Sequence, residues 1–185
     1  SVCGELAKAT MPAIEQLFVV PVLDVEGARM SREAFAHALY LARRRAEQRL
    51  RDVPGLHVVS LSANSIGYKG MVLPQFLPQL YPDLQRPELA SSAVVFHQRF
   101  STNTSPRWPL AQPFRLLAHN GEINTIAGNR TWARARAHVW RTDTLNPAEF
   151  DPVIDMDGSD SQSLDSMLEL LQAGGAVISY NDPHI

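Results

Sequence analysis

Two apolar runs, residues 93–100 and 114–119, pass directly into dense blocks of polar residues. The first block reads His97-Gln98-Arg99-Phe100-Ser101-Thr102-Asn103-Thr104 and the second His119-Asn120-Gly121-Glu122-Ile123-Asn124-Thr125. This juxtaposition constrains the fold more than any other feature. Buried polar groups need hydrogen-bond partners, and a buried charge needs a counter-charge. An architecture that buries the apolar runs must also supply partners for the polar groups at their ends.

Four segments, 16–23, 56–61, 93–100 and 114–119, are rich enough in apolar and β-branched residues to predict strands. Ser31 is placed to cap a helix reaching about residue 50, with Phe35, Ala38, Leu39, Ala42, Ala46 and Leu50 on one side. Its other side, Arg43, Arg44, Arg45, Glu47 and Arg49, reads as a solvated charged face. Pro74, Pro78, Pro82 and Pro87 predict loop or short helix over 74–91. A helical pattern runs over 122–139. Ser159 or Asp160 can cap a last helix over 161–173, with Leu164, Met167, Leu168 and Leu171 inward. Strands and helices do not alternate as a doubly wound sheet requires, so the expected class is α+β with mostly antiparallel strands. Phosphate-cradling glycine loops are missing from the sequence.

Composition excludes several functions. The chain has 185 residues, 17 basic against 19 acidic, for a net charge of −2. That balance disfavours a dedicated nucleic-acid binder, although 15 of the 17 cations are arginine. The single cysteine, Cys3, forbids an intrachain disulfide framework. No apolar run approaches membrane-spanning length and no signal peptide is visible, so the cytoplasm is the default location. His97 and His119 have no third ligand at metal-binding spacing, and no metal is expected.

The polar blocks admit two readings each. Arg99, at the end of an apolar strand, needs an anion, either an internal aspartate or a ligand carboxylate. Asn120-Gly121 is either a turn or a pair of donors, the Asn120 amide and the Gly121 N–H, aimed at one point as an oxyanion hole. Asp160 either caps a helix or accepts from a ligand ammonium group.

The run from Val95 through Arg136 carries Arg99-Phe100-Ser101-Thr102-Asn103-Thr104, Arg107-Trp108-Pro109-Leu110-Ala111-Gln112-Pro113-Phe114-Arg115, the His119 to Thr125 block, Gly128-Asn129-Arg130 and Trp132-Ala133-Arg134-Ala135-Arg136. With Gly4-Glu5-Leu6-Ala7, Tyr68-Lys69-Gly70-Met71 and Gly158-Ser159-Asp160-Ser161, it resembles the class II glutamine amidotransferase domain of the glutamate synthase large-subunit family. The resemblance covers residues 4–175 and leaves 176–185 as a divergent tail. It implies an N-terminal nucleophile hydrolase fold, four αββα layers with antiparallel sheets. It also implies that L-glutamine is hydrolysed to supply ammonia for glutamate formation from 2-oxoglutarate. Arg99 would hold the α-carboxylate, Asp160 the α-ammonium group, and Asn120 and Gly121 the oxyanion. His97, Gln98 and Asn124 would orient or support. FMN and an iron–sulfur cluster belong to the complete family enzyme, with none expected in this chain.

The match has departures. The family's nucleophile is a cysteine at the very start of its domain, with its own α-amino group as base. Cys3 stands only 96 residues before Arg99, behind two residues, in a segment that resembles the middle of the family domain. Ser105 replaces a more usual aromatic residue. The resemblance therefore implies a partial domain whose nucleophile lies in the remainder of the polypeptide or in a separately encoded segment. Such a chain would be inactive in isolation, with an exposed apolar face; at most it would bind glutamine or glutamate.

Overall fold

A computed structural model of the chain describes residues 3–23, 27–98 and 105–176. Arg99, Phe100, the Ser101–Thr104 run and most of the 176–185 tail lie outside the described residues. Among the described residues, five α-helices order the fold: α1 (Glu5–Ala9), α2 (Arg32–Arg49), α3 (Leu77–Leu80), α4 (Ile126–Arg136) and α5 (Asp160–Ala173). Short 3-10 turns lie between them, and Pro74, Pro82 and Pro147 open three of these turns. Proline suits that position because its fixed φ matches the turn and the missing N–H has no helical partner there. No described helix is long and apolar enough to cross a membrane.

The two long helices begin where their caps predict. Ser31 Oγ accepts from Ala34 N at 3.1 Å, and Ser159 Oγ accepts from Gln162 N at 3.1 Å. Helix α4 starts later than its pattern suggests. Thr125 sits in the left-handed region (φ 59°), which breaks the helix path from residue 122. A β-branched residue adopts that conformation only under constraint. Gly128 provides the space, since a Cβ there would lie 3.0 Å from the Thr125 methyl.

Among the described residues, two small apolar cores hold the elements together. Tyr40 of α2 and Leu170 of α5 pack with Leu145, Val153 and Ile154, flanked by Trp140 and Met167. Cys3, Ala7 and Trp108 form the second core, with Met71, Val72 and Leu80 against it.

The helix faces differ from the sequence expectation. The charged side of α2 is not simply solvated, because Arg43 is 2% exposed. Its guanidinium is doubly paired. It donates to both Glu47 oxygens at 2.9 and 3.0 Å and to both Glu169 oxygens at 2.8 and 2.9 Å. A carboxylate on each terminal nitrogen supplies the counter-charge that makes its burial tolerable. On α5 the buried residues are Ser161, Ser163, Asp165 and Leu170, whereas Leu164 and Leu171 are 37% and 45% exposed. Polar partners, not apolar spacing, set this face.

The strand expectations are not met among the described residues, where the only β pairing is an isolated antiparallel bridge between Cys3 and Val72. Residues 114–117 form a tight turn instead of a strand, closed by Phe114 N donating to Leu117 O at 2.8 Å. Segments 16–23 and 93–98 have no ladder. Their apolar side chains face outward, with Phe18 84%, Val20 84%, Val22 86% and Phe96 77% exposed. A strand is defined by its pairing, and β propensity alone does not supply a partner edge.

Candidate functional site

The second polar block lies on a loop, residues 112–123, that is fastened at both ends and in the middle. Gln112 grips the backbone of His119 in both directions. Its Nε2 donates to His119 O at 2.9 Å, and its Oε1 accepts from His119 N at 2.6 Å. The turn within the loop is pinned by Asp165, which is 1% exposed on α5. Its carboxylate accepts from the backbone N–H groups of Leu116 (2.8 Å), Leu117 (3.0 Å) and Arg115 (3.2 Å). The far end is held by Asp160, whose Oδ2 accepts from Ile123 N at 2.7 Å.

Asn120 and Gly121 are both exposed. His97 Nε2 lies 2.6 Å from Asn120 Oδ1. His119 Nδ1 lies 3.1 Å from Ser161 Oγ, and that hydroxyl donates to Asp160 Oδ1 at 3.2 Å. With the hydroxyl proton committed to Asp160, His119 carries its own proton on Nδ1. Its ring covers Gly121: a Cβ there would stand 2.8 Å from His119 Nε2. Glycine fits here because a neighbouring ring occupies the side-chain position.

Asp160 thus comes within three residues of the Asn120-Gly121 pair through its bond to Ile123. Burial pushes its carboxyl toward the neutral form, but donors from Ile123 N, Ser161 N and Ser161 Oγ prevail. They hold it below the usual carboxylate range, with help from His119. A carboxylate offers about four lone-pair positions. Three of those on Asp160 are occupied, one by Ile123 and two by Ser161. The fourth, on Oδ2, takes no hydrogen bond from the described residues. Asp160 therefore belongs to α5's first turn while Ser159 provides the cap.

The supporting roles of several residues escaped the sequence reading. Arg130 of α4 holds the segment before Asp160: it donates to Met156 O at 2.8 Å, Ser159 O at 3.2 Å and Ser163 Oγ at 3.0 Å, and also to Gly158 O. Arg115 joins Glu47 at 3.1 Å and Glu169 at 3.4 Å, and closes onto Val58 O. Asp165 follows Ser161 by four positions, one helical turn on the same face, and that spacing is the signal that identifies it. Lys69, within the Tyr68-Lys69-Gly70-Met71 run, is 6% exposed and donates to Ala111 O at 2.7 Å and Pro109 O at 3.1 Å. Burial, then Arg115, lowers its pKa to about 8, against an opposing pull from Asp165.

Cys3 does not join this group. It is buried, packs with Ala7 and Trp108, and bridges Val72. A groove lined by Arg130, Ala133, Trp140, Val153, Ile154 and Met156 contains none of the expected site residues.

Comparison with known proteins agrees with the motif. The chain is 44% identical over 182 residues to the glutamate synthase [NADPH] large chain of Azospirillum brasilense, covering 94% of this chain and 11% of that protein. It is 44% identical over 183 residues to the chloroplastic ferredoxin-dependent glutamate synthase of Oryza sativa subsp. japonica, covering 95% and 11%. It is 39% identical over 180 residues to glutamate synthase [NADH] of Saccharomyces cerevisiae, covering 96% and 8%. The chain thus spans about a tenth of the length of these relatives. The family model for class-II glutamine amidotransferases matches residues 1–181, and the chain belongs to that family.

Proposed function

We propose that this chain forms the glutamine-binding and oxyanion-stabilising part of a glutamate synthase, where L-glutamine is hydrolysed to release ammonia for glutamate synthesis from 2-oxoglutarate. The observation that carries the reading is the fastening of the 112–123 loop to α5. It ties an ionised carboxylate, Asp160, to Ile123, two residues beyond the Asn120-Gly121 pair. An amino-acid substrate needs an anion for its ammonium, a cation for its carboxylate and a polarised reaction centre. Asp160 serves the first need, and Asn120 Nδ2 and Gly121 N–H serve the third. Arg99, outside the described residues, serves the second by its place in the motif.

In this reading a cysteine thiolate adds to the side-chain carbonyl carbon of glutamine. The oxygen becomes an oxyanion held by Asn120 and Gly121. The C–N bond then breaks as the nitrogen takes a proton and leaves as ammonia, and water hydrolyses the thioester to glutamate. Cys3 is not that thiol, because it packs in the Ala7–Trp108 core. The nucleophile comes from a cysteine outside these 185 residues, in the same polypeptide or a separately encoded segment. The stacked antiparallel sheets of the family belong to the same proposal. The outward-facing Phe18, Val20, Val22 and Phe96 support it, since they have the composition of strand faces.

Calorimetric titration with L-glutamine tests the pocket. The expected result is saturable binding that weakens at least about tenfold in Asp160→Asn, as loss of a charge-assisted bond requires. Equal affinity in the variant, with an unchanged circular dichroism spectrum, overturns the assignment of Asp160.

A further inference from the structure

We propose that His97 is a positioning residue that sets which end of the Asn120 side chain faces the substrate. The inference rests on the reading of Asn120 as an oxyanion donor and deepens it. A primary amide has a donor end and an acceptor end on one freely turning plane. An exposed asparagine is hydrated equally well either way round, so half of its orientations would present an oxygen to a developing oxyanion.

The residues on either side of the Asn120-Gly121 pair are already restrained. Gln112 holds the His119 backbone on both sides. The His119 ring is tied to Ser161 Oγ and lies against Gly121. Ile123 N is held by Asp160. None of these bonds fixes the rotation of the Asn120 amide, and His97 Nε2 lies 2.6 Å from its Oδ1. An amide oxygen only accepts, so His97 must carry a proton on Nε2 and donate it. With Oδ1 engaged, Nδ2 and its two hydrogens point away from His97, free for an oxyanion. This explains why an imidazole belongs to the first polar block while the donor it serves belongs to the second, 23 positions further on.

The test uses the gene product that carries these residues, assayed for ammonia release from L-glutamine. His97→Ala is expected to lower kcat about tenfold to a hundredfold, within the range for an impaired oxyanion donor, with KM changed less than about twofold. His97→Gln places an N–H where Nε2 was and is expected to restore most of the loss. Asn120→Ala is expected to lose about a hundredfold to a thousandfold, and the double variant no more than Asn120→Ala alone. Losses that multiply in the double variant, or a His97→Ala enzyme with full kcat beside an impaired Asn120→Ala, overturn the role of His97 while leaving the oxyanion reading intact. Full activity in Asn120→Ala overturns that reading itself. A second measurement needs no turnover. Nitrogen-15 spectra of the 185-residue chain are expected to show His97 protonated at Nε2, with a shift at that nitrogen in Asn120→Ala. A bare Nε2 contradicts the proposal even if the His97 variants fold poorly.

Discussion

A methyl group at residue 121 would meet His119 Nε2 at 2.8 Å and Cε1 at 3.0 Å. The ring has little room to yield, because Nδ1 is bonded to Ser161 and the residue's backbone is gripped by Gln112. Gly121→Ala is therefore expected to displace either the ring or the 121 N–H. Overpacking of this kind costs about 1–3 kcal/mol, and a displaced oxyanion donor lowers kcat at least about tenfold. Urea unfolding and ammonia-release kinetics measure the two effects separately. At this scale much was legible in the sequence. Ser31 and Ser159 cap as their positions suggest, and Asp160 is bonded to Ile123, in the loop that carries the proposed Asn120-Gly121 pair. The role of Gly121 was only half legible, since nothing local shows that the His119 ring folds back over it.

Among the elements, α5 does the most to shape the site. Its Asp165 gathers three backbone N–H groups from the 115–117 turn, and its Ser161 and Asp160 hold the rest of the loop. Asp165→Ala leaves those donors without an acceptor in a buried setting. A loss of about 1–3 kcal/mol is expected from its urea midpoint, as for donors left unsatisfied away from water. Leu171→Ala, at an exposed position, is expected to cost under about 1 kcal/mol. The opposite ranking would return α5 to the apolar face read from periodicity. That reading misplaced Leu164 and Leu171 because periodicity weighs one helix in isolation. Arg43 was misjudged for the same reason: its second carboxylate partner, Glu169, is 126 residues away. The expected strands illustrate a related limit. Segments 16–23 and 93–98 have strand composition, but pairing depends on an edge supplied by other residues.

For the molecule as a whole, buried ionisable groups give stability a distinct pH profile. His57 is half-buried, and burial, then Lys69 and Arg115, lower its pKa to about 4. Its unfolded value is about 6.5, so between about 4 and 6.5 the unfolded chain binds more protons. Stability is then expected to rise with pH across that window. Lys69, lowered to about 8, acts in the same sense at higher pH. The unfolded lysine holds its proton up to about 10.4, so its contribution rises from about pH 8 upward. Above about pH 10 the hydroxyls of Tyr40 and Tyr81, raised chiefly by burial, oppose it. Urea midpoints between pH 4 and 10 measure the profile. Replacing His57 with Gln is expected to flatten its acid limb.

The central claim is that this chain supplies a glutamine pocket whose nucleophile is not its own cysteine. A glutamine-like electrophile, applied to the gene product with and without L-glutamine and mapped by mass spectrometry, tests it directly. The account predicts no glutamine-protected adduct at Cys3, and ammonia release unchanged within about twofold in Cys3→Ser, as for a packing thiol outside the reaction. A glutamine-protected adduct on Cys3, with activity abolished in Cys3→Ser, would contradict it.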